Sequence, residues 1–240
     1  GTGVTKFGIG RNEIDKAIKT VKQSQNIEFT GLHFHTGSQI TDMSVFEKLA
    51  ALASFYVTYF NESSLNVQHL NLGGGLGVDY ENPLKNPIPD FIGWFRSISE
   101  NLDIPRNIKI HLEPGRSLVA QCGSLITKVL YTKPGINHKI VLVDAGFTDL
   151  IRPALYGAFH KIFNISSQQE NETCDIAGPI CECTDYFAKK ILLPATSRGD
   201  YLSVMSAGAY GQVMVSEYNL RNKPGTVYSN QLKNNIDIKQ

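Results

Sequence analysis

The sequence predicts an α/β part followed by a mostly β part. Over roughly the first half of the chain, apolar residues alternate between helical spacing and short continuous runs, which is typical of helices that alternate with parallel strands. A glycine cluster at residues 73–77 and a Glu-Pro-Gly-Arg turn at residues 113–116 each follow an apolar run directly, as loops at the ends of parallel strands do. We therefore assign residues 1–116 to an α/β part, either a partial α/β barrel or an open sheet, and residues 117–240 to a mainly β carboxy-terminal domain.

The first part contains predicted helix–strand pairs. They are helix 12–24 with strand 27–35, a helix that begins near Asp42 or Ser44 with strand 67–72, and helix 89–102 with strand 108–112. The residues expected to face the core are Ile14, Ala17, Ile18 and Val21 in the first helix, Phe46, Leu49, Ala50, Ala53 and Val57 in the second, and Phe91, Ile92, Phe95 and Ile98 in the third. Three or four such units are too few to close an eight-stranded barrel by themselves.

The second part is predicted from short strands. They cover residues 117–131, 139–144, 201–206 and 213–217, and the polar stretch 166–173 is interpreted as an exposed loop.

Charge and hydropathy exclude several classes of protein. With 23 basic and 22 acidic residues and no basic cluster, the chain is not expected to bind nucleic acid. No apolar run is long enough to span a bilayer and no signal-peptide pattern is present, so we expect a soluble, cytoplasmic protein without a membrane partner. The chain begins with Gly1, and no strand precedes its first helix, from which we expect the later part of something longer.

The four cysteines predict neither a disulfide framework nor a metal site. Cys122, Cys174, Cys181 and Cys183 are too few for a disulfide-rich scaffold in a chain of 240 residues, and their spacing fits no common zinc pattern. Reduced thiols are expected.

The two loop motifs suggest a bound phosphate. Backbone amides of a glycine loop at strand ends can hold a phosphate group, which makes a phosphorylated cofactor the first hypothesis. The alternative is that Glu113 to Arg116 form an ordinary Pro-Gly turn. The cluster fits neither the G-x-G-x-x-G dinucleotide pattern, because Val78 replaces the third glycine, nor a P-loop.

Six ordered segments resemble the fold-type III pyridoxal-phosphate decarboxylases, and among these above all the diaminopimelate decarboxylases. The segments are Phe34-His-Thr-Gly-Ser-Gln39, Asn71-Leu-Gly-Gly-Gly-Leu-Gly77, Glu113-Pro-Gly-Arg116, Asp144-Ala-Gly through Arg152-Pro-Ala-Leu-Tyr156, Gly178-Pro-Ile-Cys-Glu182 and Ala207-Gly-Ala-Tyr210. The resemblance implies a TIM (β/α)8 barrel of the alanine-racemase type followed by a β domain. It also implies decarboxylation of meso-2,6-diaminopimelate to L-lysine and carbon dioxide.

The resemblance assigns the cofactor, pyridoxal 5'-phosphate, to residues in both parts. Glu113 would face the pyridine nitrogen, and His35 would lie against the ring. The phosphate would be held by backbone amides and a hydroxyl. The cofactor-binding residues are His35, Ser38, Gly73, Gly74, Gly75, Gly77, Glu113, Gly115, Arg116 and Tyr210. His33 matches no such position and is interpreted as structural.

The resemblance also assigns the substrate residues. Cys181 would be the catalytic proton donor, and Glu182 would bind the distal ammonium group of the substrate. The distal carboxylate would be bound by Arg116, Arg152 and Tyr156, and Tyr210 would contact both cofactor and substrate. Because the Cys181 segment of such enzymes reaches the partner's active site, a homodimer with shared sites is implied.

One feature of the family is absent. Its cofactor-bearing lysine lies in a Tyr-Ala-Val-Lys-Ala type of segment, which does not occur in these 240 residues, so the chain alone is expected to be inactive. Two alternatives remain open: a decarboxylase of the same fold that acts on ornithine, arginine, lysine or carboxynorspermidine, and a non-catalytic binding or regulatory subunit.

Overall fold

A computed structural model describes residues 6–232 of the chain. The chain divides into two compact units, Gly1–Cys122 and Gly123–Gln240. The assignment of residues 1–116 and 117–240 to separate domains stays a prediction.

The first unit is an α/β unit with a small parallel sheet. Its strands are β1 (Gly31–His33), β2 (His69–Asn71) and β3 (Lys109–His111), and its helices are α1 (Ile14–Gln23), α2 (Ser44–Glu62), α3 (Phe91–Ser99) and the short α4 (Arg116–Val119). Single 3₁₀ turns cover Arg11–Glu13 and Ala120–Cys122. The strands are ordered β1-β2-β3 and pair in parallel, with His33, Asn71 and His111 side by side. The three predicted helix–strand pairs are confirmed, although each strand is shorter than predicted.

Helices α2 and α3 form the core of this unit with the sheet. All five α2 residues predicted to face inward, from Phe46 to Val57, are buried. In α3 the prediction was partly wrong, since Ile92 and Phe95 are 74% and 52% exposed whereas Trp94 is 1% exposed. The Trp94 ring packs edge-on against Phe46 with 5.9 Å between the ring centroids, so the buried stripe of α3 is centred on Trp94. Asp90 caps the helix by accepting a hydrogen bond from the Gly93 amide.

The second unit is built on a six-stranded sheet. Its strands are β4 (Leu125–Pro134), β5 (Lys139–Val143), β6 (Ile162–Asn164), β7 (Asn171–Ala177), β8 (Tyr186–Pro194) and β9 (Tyr201–Val204), and its helices are α5 (Arg152–Tyr156) and α6 (Ser229–Leu232). Two 3₁₀ turns cover Gln212–Met214 and Tyr218–Leu220. The sheet order is β6-β9-β4-β5-β7-β8, and all neighbours are antiparallel except β5 and β7.

Several elements predicted for the mainly β part, residues 117–240, were wrong in extent. Residues 116–122 are helical because Ser117 and Ala120 are buried at helical spacing, and residues 213–217 form no strand. The predicted loop 166–173 ends early, since β7 begins at Asn171, and β6, β7 and β8 were missed. Strand β7 carries polar residues on its exposed side, so its sequence does not show the alternation of a typical strand. It lies between β5 and β8, and these pairings cannot be read from the sequence of β7 itself.

The core of the second unit lies between these strands. Val141, Ile176 and Leu202 are fully buried, and Cys174 packs among them. Burial raises the pKa of Cys174 to about 11, so this thiol stays protonated and behaves as a small hydrophobic residue.

Trp94→Ala is expected to lower the free energy of unfolding of the first unit by about 3–5 kcal/mol, because it removes a buried aromatic ring. Phe95→Ala on the same helix is the matched control and should cost below about 1 kcal/mol, because that ring is half-exposed. Urea denaturation followed by helical circular dichroism measures both values. Equal costs for the two variants would contradict the assigned helix face.

A second prediction concerns the pH dependence of the second unit. Burial by itself would raise the pKa of Glu172, but hydrogen bonds from Lys139 Nζ and the Thr196 amide outweigh it and hold the pKa below its usual range. The carboxylate therefore stabilises the fold above the pKa of an unfolded glutamate, and this contribution is lost as the pH falls through the folded value. Acid titration of stability should be steeper for the natural chain than for Glu172→Gln, and parallel curves would refute the assignment.

Candidate functional site

In the first unit, the glycine loop is attached to the end of β3. The Glu113 amide donates to the Gly73 carbonyl at 2.7 Å, and the Leu72 amide donates to the His111 carbonyl at 3.0 Å. These bonds continue the parallel pairing of β2 and β3 beyond the strands. The loop and Glu113 are therefore held at the same carboxyl edge of the sheet, as the sequence predicted.

Gly73 and Gly74 are among the loop positions that require glycine. Gly73 has a φ of +67°, in the left-handed region, and a Cβ on Gly74 would lie 2.0 Å from the Glu113 carbonyl oxygen. No side chain fits between these two backbones. The close approach of Gly74 to Glu113 thus depends on the missing Cβ.

The loop amides divide into two groups. The Gly73 amide donates to Asn71 Oδ1 at 2.8 Å, and the Gly77 amide donates to the Ile40 carbonyl at 2.8 Å. The amides of Gly74 and Gly75 donate to no group among residues 6–232. Gly73 and Gly77 therefore shape the loop, whereas the amides of Gly74 and Gly75 have no acceptor among the described residues.

Glu113 is held by two side chains on neighbouring strands. Asn71 Nδ2 donates to Glu113 Oε1 at 2.8 Å, and His33 Nε2 lies 3.5 Å from Glu113 Oε2. Asn71 thus bonds the glycine loop with its oxygen and Glu113 with its nitrogen. Sequence reasoning gave Asn71 no role, although a polar residue that ends an apolar strand just before the glycines is a usable signal.

A third segment reaches the same place. Arg116 Nη2 donates to Ser38 Oγ at 3.1 Å, and its Nη1 donates to the Tyr80 hydroxyl at 2.7 Å. A Cβ on Gly75 would lie 2.7 Å from the Gly37 carbonyl oxygen, which brings the segment before Ser38 against the glycine loop. Segments 35–38, 73–77 and 113–116 therefore converge in this unit. His35 is exposed beside Gly73, with Nδ1 3.4 Å from the position of a Cβ on that glycine.

In the second unit, Arg152 is buried at 7% exposure. Its Nη1 lies 2.7 Å from His160 Nε2, and His160 Nδ1 lies 2.8 Å from the Met205 carbonyl. Because a guanidinium can only donate, His160 Nε2 accepts and Nδ1 carries the proton, so this histidine is neutral. Tyr156, on the last turn of the same helix α5, is 64% exposed.

Cys181 and Glu182 lie in the loop between β7 and β8. Both side chains are exposed. The Tyr218 hydroxyl donates to Glu182 Oε1 at 3.0 Å, and this bond raises the pKa of Tyr218. The Tyr218 ring in turn contacts the Phe147 ring, with 5.7 Å between centroids.

Asp185, at the end of that loop, is buried and forms hydrogen bonds to its backbone. It is 3% exposed, and its carboxylate accepts hydrogen bonds from the Phe147 amide at 2.7 Å and the Ile180 amide at 2.8 Å. Burial raises the pKa of Asp185, while these two amides act in the opposite direction. Sequence reasoning missed Asp185, since one aspartate near a turn carries no signal of burial.

Tyr210 has an unusual backbone. Its φ of +58° lies in the left-handed region, which bulky residues rarely adopt. A Cβ on the following Gly211 would lie 2.2 Å from the Ala207 carbonyl oxygen, so the turn has no space for a side chain at that position. Strain of this kind is often found at ligand-binding positions.

The described residues contain neither a cluster of metal ligands nor a helix that could span a membrane. Within residues 6–232, no group of three His, Cys, Asp or Glu side chains is arranged to bind a metal ion. In the same range, no helix has the length and apolar character to cross a membrane.

Comparison with known families identifies the chain. It matches the family described as pyridoxal-dependent decarboxylase, C-terminal sheet domain, over residues 19–208. The chain belongs to the pyridoxal-dependent decarboxylases.

Individual relatives within this family are named for related reactions. The diaminopimelate decarboxylase of Bacteroides thetaiotaomicron is 44% identical over 232 residues, which are 97% of this chain and 60% of the relative. The structure of Helicobacter pylori diaminopimelate decarboxylase complexed with L-lysine has a TM-score of 0.81 and 36% identity over 91% of this chain and 54% of that one. A Vibrio vulnificus lysine/ornithine decarboxylase complexed with cadaverine has a TM-score of 0.83 and 26% identity over 94% of this chain and 61% of that one.

These findings confirm the expected family, its pyridoxal cofactor and the fold class of later barrel βα units followed by a mostly β domain. The chain spans about half the length of the relatives that it matches, between 54% and 60% of the first two. The roles of individual residues stay predictions.

Proposed function

We propose that this chain supplies the phosphate loop, the ring-nitrogen carboxylate and the substrate-recognition residues of an enzyme that decarboxylates meso-2,6-diaminopimelate to L-lysine and carbon dioxide. One observation carries the proposal: segments 35–38, 73–77 and 113–116 converge at the carboxyl edge of the parallel sheet. The relatives named diaminopimelate decarboxylase support the choice of substrate.

The converging residues fit pyridoxal phosphate. The two loop amides without a described acceptor, those of Gly74 and Gly75, provide donors for the phosphate, and Ser38 with Arg116 adds a hydroxyl and a cation beside them. Glu113 provides the carboxylate that a protonated pyridine nitrogen requires. When pyridoxal phosphate is bound, it supplies an electron sink for the bond that is broken at the substrate α-carbon.

The contacts of Glu113 suit this task. Asn71 Nδ2 fixes one carboxylate oxygen, His33 Nε2 lies 3.5 Å from the other, and the Glu113 amide is fixed to the glycine loop. The distance between the nitrogen partner and the phosphate donors is thereby set by backbone bonds. His35, exposed beside Gly73, would cover one face of the ring.

The substrate residues are assigned through the family resemblance. Cys181 would hold the proton that replaces the lost carboxylate at the α-carbon, and Glu182 would bind the distal ammonium. Arg116, Arg152 and Tyr156 would bind the distal carboxylate. We further propose a homodimer in which the Cys181 loop serves the partner subunit, and analytical ultracentrifugation of the complete protein that carries this sequence tests it; a monomer at working concentrations would overturn it.

A substrate panel tests the reaction. In the complete protein that carries this sequence, carbon dioxide release is measured from meso-diaminopimelate, ornithine, lysine and arginine. Diaminopimelate should give the highest kcat/KM, and Glu113→Gln should lower kcat by roughly 100-fold or more, since an electrostatic group at the reacting system is lost. Preference for lysine or ornithine, which lack the distal carboxylate, would favour the alternative represented by the Vibrio vulnificus relative. Cofactor binding without any release would favour the non-catalytic alternative.

Gly74→Ala should weaken pyridoxal phosphate binding at least tenfold in the complete protein, because the new Cβ would lie 2.0 Å from the Glu113 carbonyl and must displace the loop. Gly225→Ala is the matched control, since a Cβ there meets nothing within 4 Å. Fluorescence titration with the cofactor measures both affinities. Unchanged affinity in Gly74→Ala would remove this loop from the proposed phosphate site.

A further inference from the structure

The loop at residues 178–185 carries the two residues proposed to act on the substrate, yet their side chains have little packing to hold them. Cys181 and Glu182 are exposed, whereas Ile180 just before them is 7% exposed. Turn bonds lie within the loop, from the Glu182 amide to the Ile180 carbonyl at 2.8 Å and from the Asp185 amide to the Glu182 carbonyl at 3.1 Å. These bonds shape the loop but do not attach it to the rest of the unit.

Asp185 provides the attachment. One carboxylate oxygen accepts from Ile180 inside the loop, and the other accepts from Phe147 in the neighbouring 144–149 loop. The Asp185 carbonyl also accepts from the Gly178 amide at 2.9 Å, which closes the base of the loop. A Cβ on Gly178 would lie 2.2 Å from Asp185 Oδ2, so the carboxylate sits against bare backbone.

A second path leads back to the same loop. The amide of Phe147 is bonded to Asp185, and its ring lies tilted against the Tyr218 ring. The Tyr218 hydroxyl in turn donates to Glu182. The contacts from Asp185 to Phe147, Tyr218 and Glu182 therefore begin and end in the 178–185 loop. The Asp185 contacts fix the backbone of this loop, and the Tyr218 contact fixes the Glu182 side chain.

We propose that Asp185 and Tyr218 are positioning residues, which hold the Cys181 backbone and the Glu182 carboxylate in place for a diamino substrate. The inference rests on the proposed function of Cys181 and Glu182. Asp185 acts through the amides of Ile180 and Phe147, and Tyr218 acts through its hydroxyl. Neither residue needs to touch the substrate.

Asp149 offers a matched control for Asp185. It is also buried, at 8% exposure, and its carboxylate accepts from the Gly146 amide at 2.8 Å, but its described bonds stay within the 144–149 loop. A general loss of stability would be shared by Asp185→Asn and Asp149→Asn. Of the two, only Asp185 has a direct hydrogen bond to the 178–185 loop, at the Ile180 amide.

Amide hydrogen exchange on the complete protein that carries this sequence tests the backbone part without any substrate. Asp185→Asn keeps the shape but places an amide group where a carboxylate accepted two N–H bonds, so exchange at Ile180 should accelerate roughly tenfold. Asp149→Asn should leave Ile180 within about twofold of the natural chain. Unchanged exchange at Ile180 in Asp185→Asn, or equal acceleration in both variants, would overturn the proposal.

Tyr218→Phe tests the side-chain part and removes only a hydroxyl. In the complete protein that carries this sequence, KM for meso-diaminopimelate should rise about three- to tenfold with kcat nearly unchanged, because ground-state recognition of the ammonium is weakened. Tyr201→Phe, which keeps its ring beside Lys128 Nζ, is the control and should leave both constants unchanged. A fall in kcat without a change in KM, or no effect in Tyr218→Phe, would count against the role of Tyr218.

The carboxyl ¹³C resonance of Glu182, measured in the complete protein without substrate, separates this inference from the proposed function. It should move toward the position of a free glutamate in Tyr218→Phe and not in Tyr201→Phe. If the complete protein decarboxylates none of the panel, the proposed function fails, while exchange and carboxyl resonance still decide whether Asp185 and Tyr218 position the loop. A Glu182 resonance that does not respond to Tyr218→Phe would overturn the side-chain part, even if Asp185→Asn fails to fold.

Discussion

The site in the first unit depends on one close approach between two backbones. The Gly73–Gly74 segment lies directly against Glu113, with the Glu113 amide bonded to the Gly73 carbonyl at 2.7 Å. Parallel strands bring their carboxyl ends to the same edge of a sheet, but loops normally diverge there. Glycine removes the side-chain volume that would force this divergence, and the hydrogen bond then makes the loop an extension of the strand pairing.

In both units, polar side chains accept hydrogen bonds from loop amides that the backbone leaves without an acceptor. Asn71 satisfies the Gly73 amide and holds Glu113, while Asp185 satisfies two amides from different loops. A buried or half-buried backbone N–H without a partner is costly, so a side-chain acceptor at such a place stabilises one loop conformation over others. In both units the side chain with the proposed chemical role is exposed, Glu113 in the first and Cys181 in the second. A nearby polar side chain, Asn71 or Asp185, forms the hydrogen bonds that hold its segment.

Asp185 and Asn71 differ in the free-energy cost of burying their side chains. An amide side chain is neutral and can be half-buried cheaply, whereas burial of the Asp185 carboxylate raises its pKa and is only partly offset by the amides that it accepts. A neutral side chain could fill the same space. The use of a carboxylate where it is unfavourable agrees with a role in geometry, since only a carboxylate accepts from Ile180 and Phe147 with both oxygens at once.

The amino-acid sequence by itself determined the alternation of helices and parallel strands, the buried face of α2 and the loops that carry Gly74 and Glu113. Those features are written in local periodicity and in residues such as glycine and proline, whose conformational limits act over a few positions. The family resemblance rested on the same local segments. The tertiary structure alone decided that Trp94 rather than Phe95 is buried and that β7 lies between β5 and β8. It also decided that Asn71 bonds Glu113, that Asp185 bonds the Ile180 amide and that Tyr218 bonds Glu182. Each of these depends on a partner that is distant along the chain, Phe46 for Trp94 and Glu182 for Tyr218, and such a partner leaves no pattern in the neighbouring sequence.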